Sequence, residues 1–384
     1  MWEVAAKSYD NENSGGIGML KKLLSAVLCI TMVITMAGCG SNGKGEETKE
    51  AAATGQETAD GQETSDIKVG FAIKTQDSPY FVSLVDAVKK LSEEKGWKCT
   101  VLDANSDTSK EAENLETFIT QGMDLIFLDS VEPDACIPSI NAAAEANIPV
   151  INLDSGVGEC NQCTTIYSDN KQNGRLVGKA YGEQFDKEKE IIAVLLSALK
   201  GNVACMERRL GLFCGIIESR AGYSEEEAWK AAQQFEDDLM KNGKASNEEA
   251  RFTLRGQGWG AGTREEGLTA AEDLITANKD LNCMLGENDQ MLFGGMEALE
   301  NAGITGVDMV AAADGAKEAY DLIKEGKYFG TGENSPYKVA EKGIEVAKEI
   351  LVDKKDWKSY DDVILTEAVA VTKENVDEHY EFGF

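Results

Sequence analysis

Histidine is almost missing from this sequence: the single one, His379, lies close to the last residue. That excludes His-rich metal sites, Ser-His-Asp and Cys-His triads, and most schemes with a histidine general base. Positive charge is also scarce. Lys plus Arg number 38 against 68 Asp plus Glu, a formal net charge of −30. Such a surface repels phosphate backbones, and no basic patch offsets it, so nucleic-acid binding is disfavoured. Proline is held to 5 residues. The composition, 42% hydrophobic and 28% charged, is too apolar for a disordered chain and too polar for a polytopic membrane protein. A chain of 384 residues can build two domains of ordinary size. With these classes set aside, a binding protein is the first expectation.

One apolar run stands apart from the rest. Met19-Leu20-Lys21-Lys22 precedes it, it extends from Leu23 to Ala37, and Gly38-Cys39 closes it. A basic start, a short apolar stretch and small residues before a cleavage point make a secretory signal, too short for a stable span. Cysteine after Ala37-Gly38 matches the bacterial lipobox, with Met36 where leucine is usual. Residues 1–38 are therefore read as an over-extended start plus lipoprotein signal, with Cys39 lipidated. Lys7, Lys21 and Lys22 balance Glu3, Asp10 and Glu12, so removing this segment leaves the net charge unchanged. Residues 39–65 contain no aromatic side chain and repeat Gly-Gln-Glu-Thr, the composition of a flexible acidic tether. Its coil dimension, roughly 25–30 Å, would hold a domain just off a membrane.

From Ile67 onward apolar runs alternate with amphipathic stretches. Strands are expected at Ile67–Ile73, Cys99–Leu102, Leu125–Leu128 and Pro149–Leu153, and helices at Pro79–Lys95, Ser109–Gln121 and Ala135–Ala146. Ser109 is expected to cap the second of these helices. The alternation resumes after residue 165 with a helix at Asn170–Phe185, a strand at Ile191–Leu196 and one long helix over Arg208–Met240. Strands at Arg251–Leu254, Cys283–Leu285, Met309–Ala312 and Tyr328–Thr331 follow, with helices between them at Thr263–Ala277, Met291–Ala302 and Ala316–Glu325. A helix at Pro336–Val352 and a closing strand at Val363–Val371 complete the pattern. Continuous apolar strands between helices mean parallel sheets buried on both faces. The fold class is α/β, with two doubly wound sheets.

In such sheets ligands bind at the carboxyl ends of the strands. Lys74, Ser78, Tyr80 and Phe81 follow the first strand, and Asp154-Ser155 the fourth. Glu287-Asn288-Asp289, Asp314-Gly315 and Glu333-Asn334 follow later ones, and Trp259 sits in a glycine-rich turn. Carboxylates and amides pair with vicinal hydroxyls, and aromatic faces suit the C–H face of a sugar ring. Each Asp or Asn could equally be a helix cap, and Trp259 could be ordinary packing under the helix near 214–247.

At these residues the sequence resembles a known family. Asp66–Phe81, Ile148–Asp154, Gly286–Gly295, Ala312–Gly315 and Glu333–Pro336 look like the type I periplasmic solute-binding proteins of the ribose and galactose class, in order and spacing, over most of residues 66–372. The resemblance implies two lobes joined by three crossings. The first lobe would comprise 66–168 and 335–356, the second 169–334 and 357–384. Lys74, Ser78, Tyr80, Phe81, Asp154 and Ser155 would then line the first wall, with Asn288, Asp314 and Asn334 in the second lobe and hinge. Trp259 would stand in for an aromatic that aligns near Gly262. The ribose binders have Arg where this chain has Ser155, and a second Arg near Met206.

Weaker signals remain. Asp103–Glu111 has calcium-loop spacing but lacks Gly at Thr108 and Glu at Asn114, and a capped strand-to-helix loop explains it without metal. Seven cysteines follow Cys39, an odd number, and Cys160-Asn-Gln-Cys163 could close a small disulfide. The acidic stretch Ser224–Asp238 reads as a solvated face. The expected function is capture of a monosaccharide or similar small polar solute by a monomeric, lipid-anchored extracytoplasmic protein that delivers it to the permease of an ABC importer. No catalysis, cofactor, metal or nucleic acid is expected. A module signalling to a membrane receptor is the alternative, and a glycosidase pairing Asp154 with Asp314 is a weaker one.

Overall fold

The computed structural model describes residues 66–384. The signal, Cys39 and the tether lie outside the described residues. The first half runs β1 (Lys68–Ile73), α1 (Pro79–Glu94), β2 (Lys98–Asp103), α2 (Thr108–Gln121), β3 (Leu125–Leu128), α3 (Ile137–Glu145), β4 (Val150–Leu153) and β5 (Thr164–Ser168). The second continues with α4 (Asn170–Gln184), β6 (Ile191–Ser197), α5 (Val203–Ala221), α6 (Glu225–Asn242), β7 (Ala245–Asn247) and β8 (Phe252–Trp259). Then come α7 (Arg264–Ala277), β9 (Cys283–Gly286), α8 (Asp289–Asn301), β10 (Asp308–Asp314), α9 (Lys317–Glu325) and β11 (Gly330–Glu333). The chain ends with α10 (Pro336–Leu351), β12 (Val363–Thr366), β13 (Ala370–Thr372) and α11 (Val376–His379).

Two sheets result. The first has the order β12-β5-β4-β3-β1-β2 and is parallel throughout. The second has the order β13-β11-β10-β9-β6-β8-β7, parallel except for the antiparallel edges β13 and β7. Every residue of β3 and β4 is buried, as expected of strands covered by helices on both faces. Side chains alternate between faces, so Phe71, Phe127 and Leu153 enter one cluster and Ala72, Ile126 and Leu128 the other. Leu195, Leu285 and Val310 against Val194, Met284 and Ala311 repeat this in the second sheet.

The chain passes between the sheets three times: β5 to α4, β11 to α10, and β12 to β13. The last crossing differs from expectation. Val363–Val371 reads as one strand, but Val363–Thr366 pairs with β5 and Ala370–Thr372 with β11, so the run is two strands in two sheets. The first lobe therefore reclaims β12, past the expected boundary at 356. Alternation of apolar residues cannot say which sheet a strand joins. Asn173, fully buried, pins two of the crossings, donating to the Glu333 carbonyl at 3.0 Å and accepting from the Val369 N–H at 2.9 Å.

Other differences have local causes. The expected long helix is two: Gly222 ends α5 in the left-handed region (φ 72°), and Ser224 opens α6 with a capping box to Glu227. Asn202 caps α5 six residues ahead of Arg208, which moves Arg208 inside the helix. Asp107, not Ser109, caps α2, accepting from the Ser109 and Lys110 N–H groups. The glycine-rich turn before Trp259 is the end of β8. Helices α4 and α5 meet backbone to backbone: a Cβ on Gly174 would strike the Arg208 carbonyl, and one on Gly211 the Lys171 carbonyl. That seam brings the start of α5 against the carboxyl ends of the strands.

Candidate functional site

In the first lobe four strand-end residues converge. The Lys74 ammonium, just beyond β1, donates to Ser155 Oγ at 2.7 Å and lies 3.2 Å from Asp129 and 3.6 Å from Asp154. It also stands 4.4 Å above the Phe81 ring. Ser155 Oγ in turn donates to Asp129 Oδ1 at 2.5 Å. Asp129 follows β3 and is completely buried; its Oδ2 has no partner among the described residues. Burial pushes this carboxyl up to about 7, with Lys74 opposing and Asp154 adding to the rise. For Lys74 burial favours loss of the proton, yet the two carboxylates outweigh it and raise the ammonium above its ordinary value.

Tyr80, buried at the start of α1, donates its hydroxyl to Asp154 Oδ1 at 2.7 Å. Burial, followed by the Asp154 charge, holds this phenol well above its ordinary range. Asp154 itself adopts φ 66°, a left-handed conformation that Asp tolerates better than most residues. Strain of this kind is kept where the surroundings hold it, here by the Asp154 N–H to the Ile166 carbonyl at 2.8 Å. Asn334 sits at the β11–α10 crossing, buried, with its Oδ1 accepting from Ser168 Oγ at 2.6 Å. Ser78 is the residue before α1 and makes no side-chain cap bond.

The second wall is built differently. Arg208 reaches from α5, donating Nε–H to Asn170 Oδ1 at 2.8 Å and Nη1–H to Asp314 Oδ1 at 2.9 Å. Burial raises the Asp314 carboxyl to about 6 despite Arg208, and the charges of Asp289 and of Asp154 on the first lobe push the same way. The two walls therefore act on one another electrostatically. Asp289, buried at the first turn of α8, fixes the Asp314 loop: its Oδ2 accepts from the N–H groups of Asp314, Gly315 and Ala316 at 3.1, 2.9 and 2.9 Å.

The expected residues thus fall into groups. Lys74, Tyr80, Phe81, Asp154 and Ser155 are assembled together, and Asn334 and Asp314 lie at the adjoining hinge and opposite wall. Asn288 acts as a cap: its Oδ1 accepts from the Met291 N–H at 3.1 Å and its amide donates to the Gly262 carbonyl at 2.9 Å. Trp259 ends β8, half-buried, with the Lys200 ammonium 5.1 Å over its ring. It joins none of the apolar clusters; the tryptophan packed at α5 and α6 is Trp229. The sequence reading missed Asp129, although it directly follows a strand, and Asp289, which was passed over for Asn288. It also took the second lobe to lack a guanidinium at Met206. Arg208, two residues on, supplies one.

Comparison with known proteins agrees with this geometry. Residues 69–355 match the periplasmic binding protein domain family. The ribose import binding protein of Salmonella typhimurium is 27% identical over 292 residues, covering 76% of this chain and 87% of that protein. The D-ribose/D-allose-binding protein of Pseudomonas aeruginosa is 22% identical over 315 residues, covering 79% of this chain and 88% of that one. Among solved structures, an ABC transporter solute-binding protein of Mycobacterium smegmatis with bound glycerol superposes with TM-score 0.62 at 26% identity, covering 81% of this chain and 96% of that one. One from Actinobacillus succinogenes with bound D-allose gives TM-score 0.65 at 22% identity, covering 81% and 99%, and shares the fold. Two parallel lobes, three crossings and a family match over most of the chain place this protein in the periplasmic binding protein family.

Proposed function

We propose that the protein is the extracytoplasmic substrate-binding component of an ABC importer and that it closes on a neutral, hydroxyl-rich solute of monosaccharide size. One observation carries the reading: two ion-paired clusters, Lys74–Asp129–Asp154 and Arg208–Asp314, stand on opposite walls at the strand ends. Three carboxylates against two cations leave no positive excess for an anionic ligand. Paired charges still offer free acceptor and donor positions to hydroxyls, and the Phe81 and Trp259 rings suit a sugar's apolar face. The ligand set is Lys74, Ser78, Tyr80, Phe81, Asp154, Ser155, Trp259, Asn288, Asp314 and Asn334, to which we add Asp129 and Arg208. Calorimetric titration of the chain from Cys39 onward against pentoses, hexoses and polyols is expected to find one tightly bound sugar. The same sugar at about 100 times its Kd should add about 2.7 kcal/mol of stability. Absence of binding across the panel would overturn the reading.

The basic start, apolar run and Ala37-Gly38-Cys39 support a lipid anchor at Cys39. Labelling with a fatty-acid analogue should mark the wild type and leave Cys39→Ala unlabelled; equal labelling sinks the anchor.

A further inference from the structure

We propose that Cys136 and Cys160 form a redox modification site, their thiols closing a disulfide that ties the loop after β4 to the start of α3. The spacing Cys160-Asn-Gln-Cys163 points instead to a bond between its own two ends, but the fold separates those sulfurs. Cys163 leads into β5, donating its N–H to the Val150 carbonyl at 2.8 Å, and packs with Phe71, Leu153 and Ile344 on one face of the first sheet. Cys160 packs with Leu115, Ile140 and Ile148 on the opposite face, and Cys136 is a buried member of that same cluster.

The loop is pinned against α3 on both sides of Cys160. The Gly158 N–H donates to the Pro133 carbonyl at 3.0 Å, and the Cys136 thiol donates to the same carbonyl at 3.4 Å. One residue beyond Cys160, the Asn161 N–H and side-chain amide both donate to Asn141 Oδ1, at 3.0 and 2.9 Å. The approach at 158 is close: a Cβ there would meet the ends of the Asp134 and Ile137 side chains, at 2.6 and 2.9 Å, so both would have to shift. Cys160 is also among the groups that oppose ionisation of the Cys136 thiol, after burial and Glu111. The family's extracytoplasmic setting favours disulfides.

The step requires an external disulfide, RSSR. The Cys160 thiolate, from the more exposed of the two thiols, attacks one sulfur of RSSR and expels RS⁻. The Cys136 thiolate then attacks the Cys160 sulfur of the mixed disulfide and expels the second RS⁻. The two thiol protons pass to the leaving thiolates, so the protein is oxidised by two electrons and RSSR becomes 2 RSH. Burial pushes both thiols up, Cys136 to about 12, so the exchange is slow at neutral pH and quickens on the alkaline side. The bond would restrain the segment whose first residues, Asp154 and Ser155, form the first wall.

The test treats the folded chain with oxidised glutathione at mildly alkaline pH, alkylates remaining thiols, and maps peptides without reduction. A Cys136–Cys160 peptide is expected, kept in Cys163→Ala and lost in Cys160→Ser, with circular dichroism confirming that each variant is folded. Should Cys163→Ala fail to fold, the wild-type map decides by itself. A Cys160–Cys163 peptide, a Cys160 carrying glutathione beside a free Cys136, or no protein disulfide at all overturns the proposal.

Discussion

The two walls of the cleft reach a similar chemistry by different routes. In the first lobe the cation, Lys74, sits in a loop directly after a strand, and its partners Asp129 and Asp154 follow two other strands of the same sheet. In the second lobe the cation, Arg208, comes from within α5 and meets one strand-end carboxylate, Asp314. The first wall shares one cation among several oxygens; the second is a single ion pair braced by Asn170 and Asp289. In the loop-built wall Ser155 links the cation to a carboxylate, accepting from Lys74 and donating to Asp129. A site delivered by a helix depends on the glycine seam that lets α5 approach α4.

The sharpest break in this comparison is Arg208→Met. It strands the buried Asp314 carboxylate, and breaking a buried pair by removing one partner costs about 3–5 kcal/mol. We expect a loss of that size in denaturant unfolding and at least a hundredfold weaker binding of the confirmed ligand. Adding Asp314→Asn should restore much of the stability and none of the affinity. If Arg208→Met is as stable as wild type, the guanidinium is not the brace of the second wall.

How much of this was legible follows from the same contrast. Strand-end position pointed to Lys74, Tyr80, Asp154 and Asp314, because in a parallel sheet chain order fixes which residues reach the carboxyl edge. Asp129 obeys the same rule and was available to it. Arg208 was not: its place depends on where Asn202 starts the helix and on a backbone contact between two helices, neither of which hydrophobic spacing records. The split of Val363–Val371 between two sheets was hidden for a similar reason, since a strand's pattern carries no name for its neighbour.

The two carboxyls give a smaller contrast, read through pH. Asp129 and Asp314 both hold their protons more tightly in the folded protein than in the unfolded chain, burial being the main cause. The stability linked to their protonated forms is therefore complete below the ordinary carboxylate range. It is lost as pH rises through the folded values, about 7 for Asp129 and about 6 for Asp314. Asp129→Asn keeps the neutral form at every pH. The unfolding free energy of wild type relative to this variant should fall by on the order of 3 kcal/mol between about pH 4 and pH 7, then level off. The corresponding fall against Asp314→Asn should end about one pH unit earlier. Profiles that run flat for both variants would remove the electrostatic distinction between the walls.

Trp259 gives the smallest effect on the fold and separates wall from core. Its ring is half-buried at the end of β8, opposite Ser197 in register, and belongs to no apolar cluster. Trp97 is its counterpart in the first lobe's core, 3% exposed among Val69, Leu91 and Ile350. Truncating Trp97 removes a fully packed side chain and should cost about 3–5 kcal/mol of stability. Truncating Trp259 opens no cavity, because water already reaches the ring, so the stability change should stay below about 1 kcal/mol. Ligand affinity should respond in the opposite order: about tenfold weaker for Trp259→Ala through the lost ring contact, and little changed for Trp97→Ala wherever that variant is still folded. Unfolding curves and calorimetric titrations on the two variants check both halves. A Trp259→Ala protein that binds like wild type but unfolds as readily as Trp97→Ala would move Trp259 from the cleft to the core, and leave the second wall without an aromatic face.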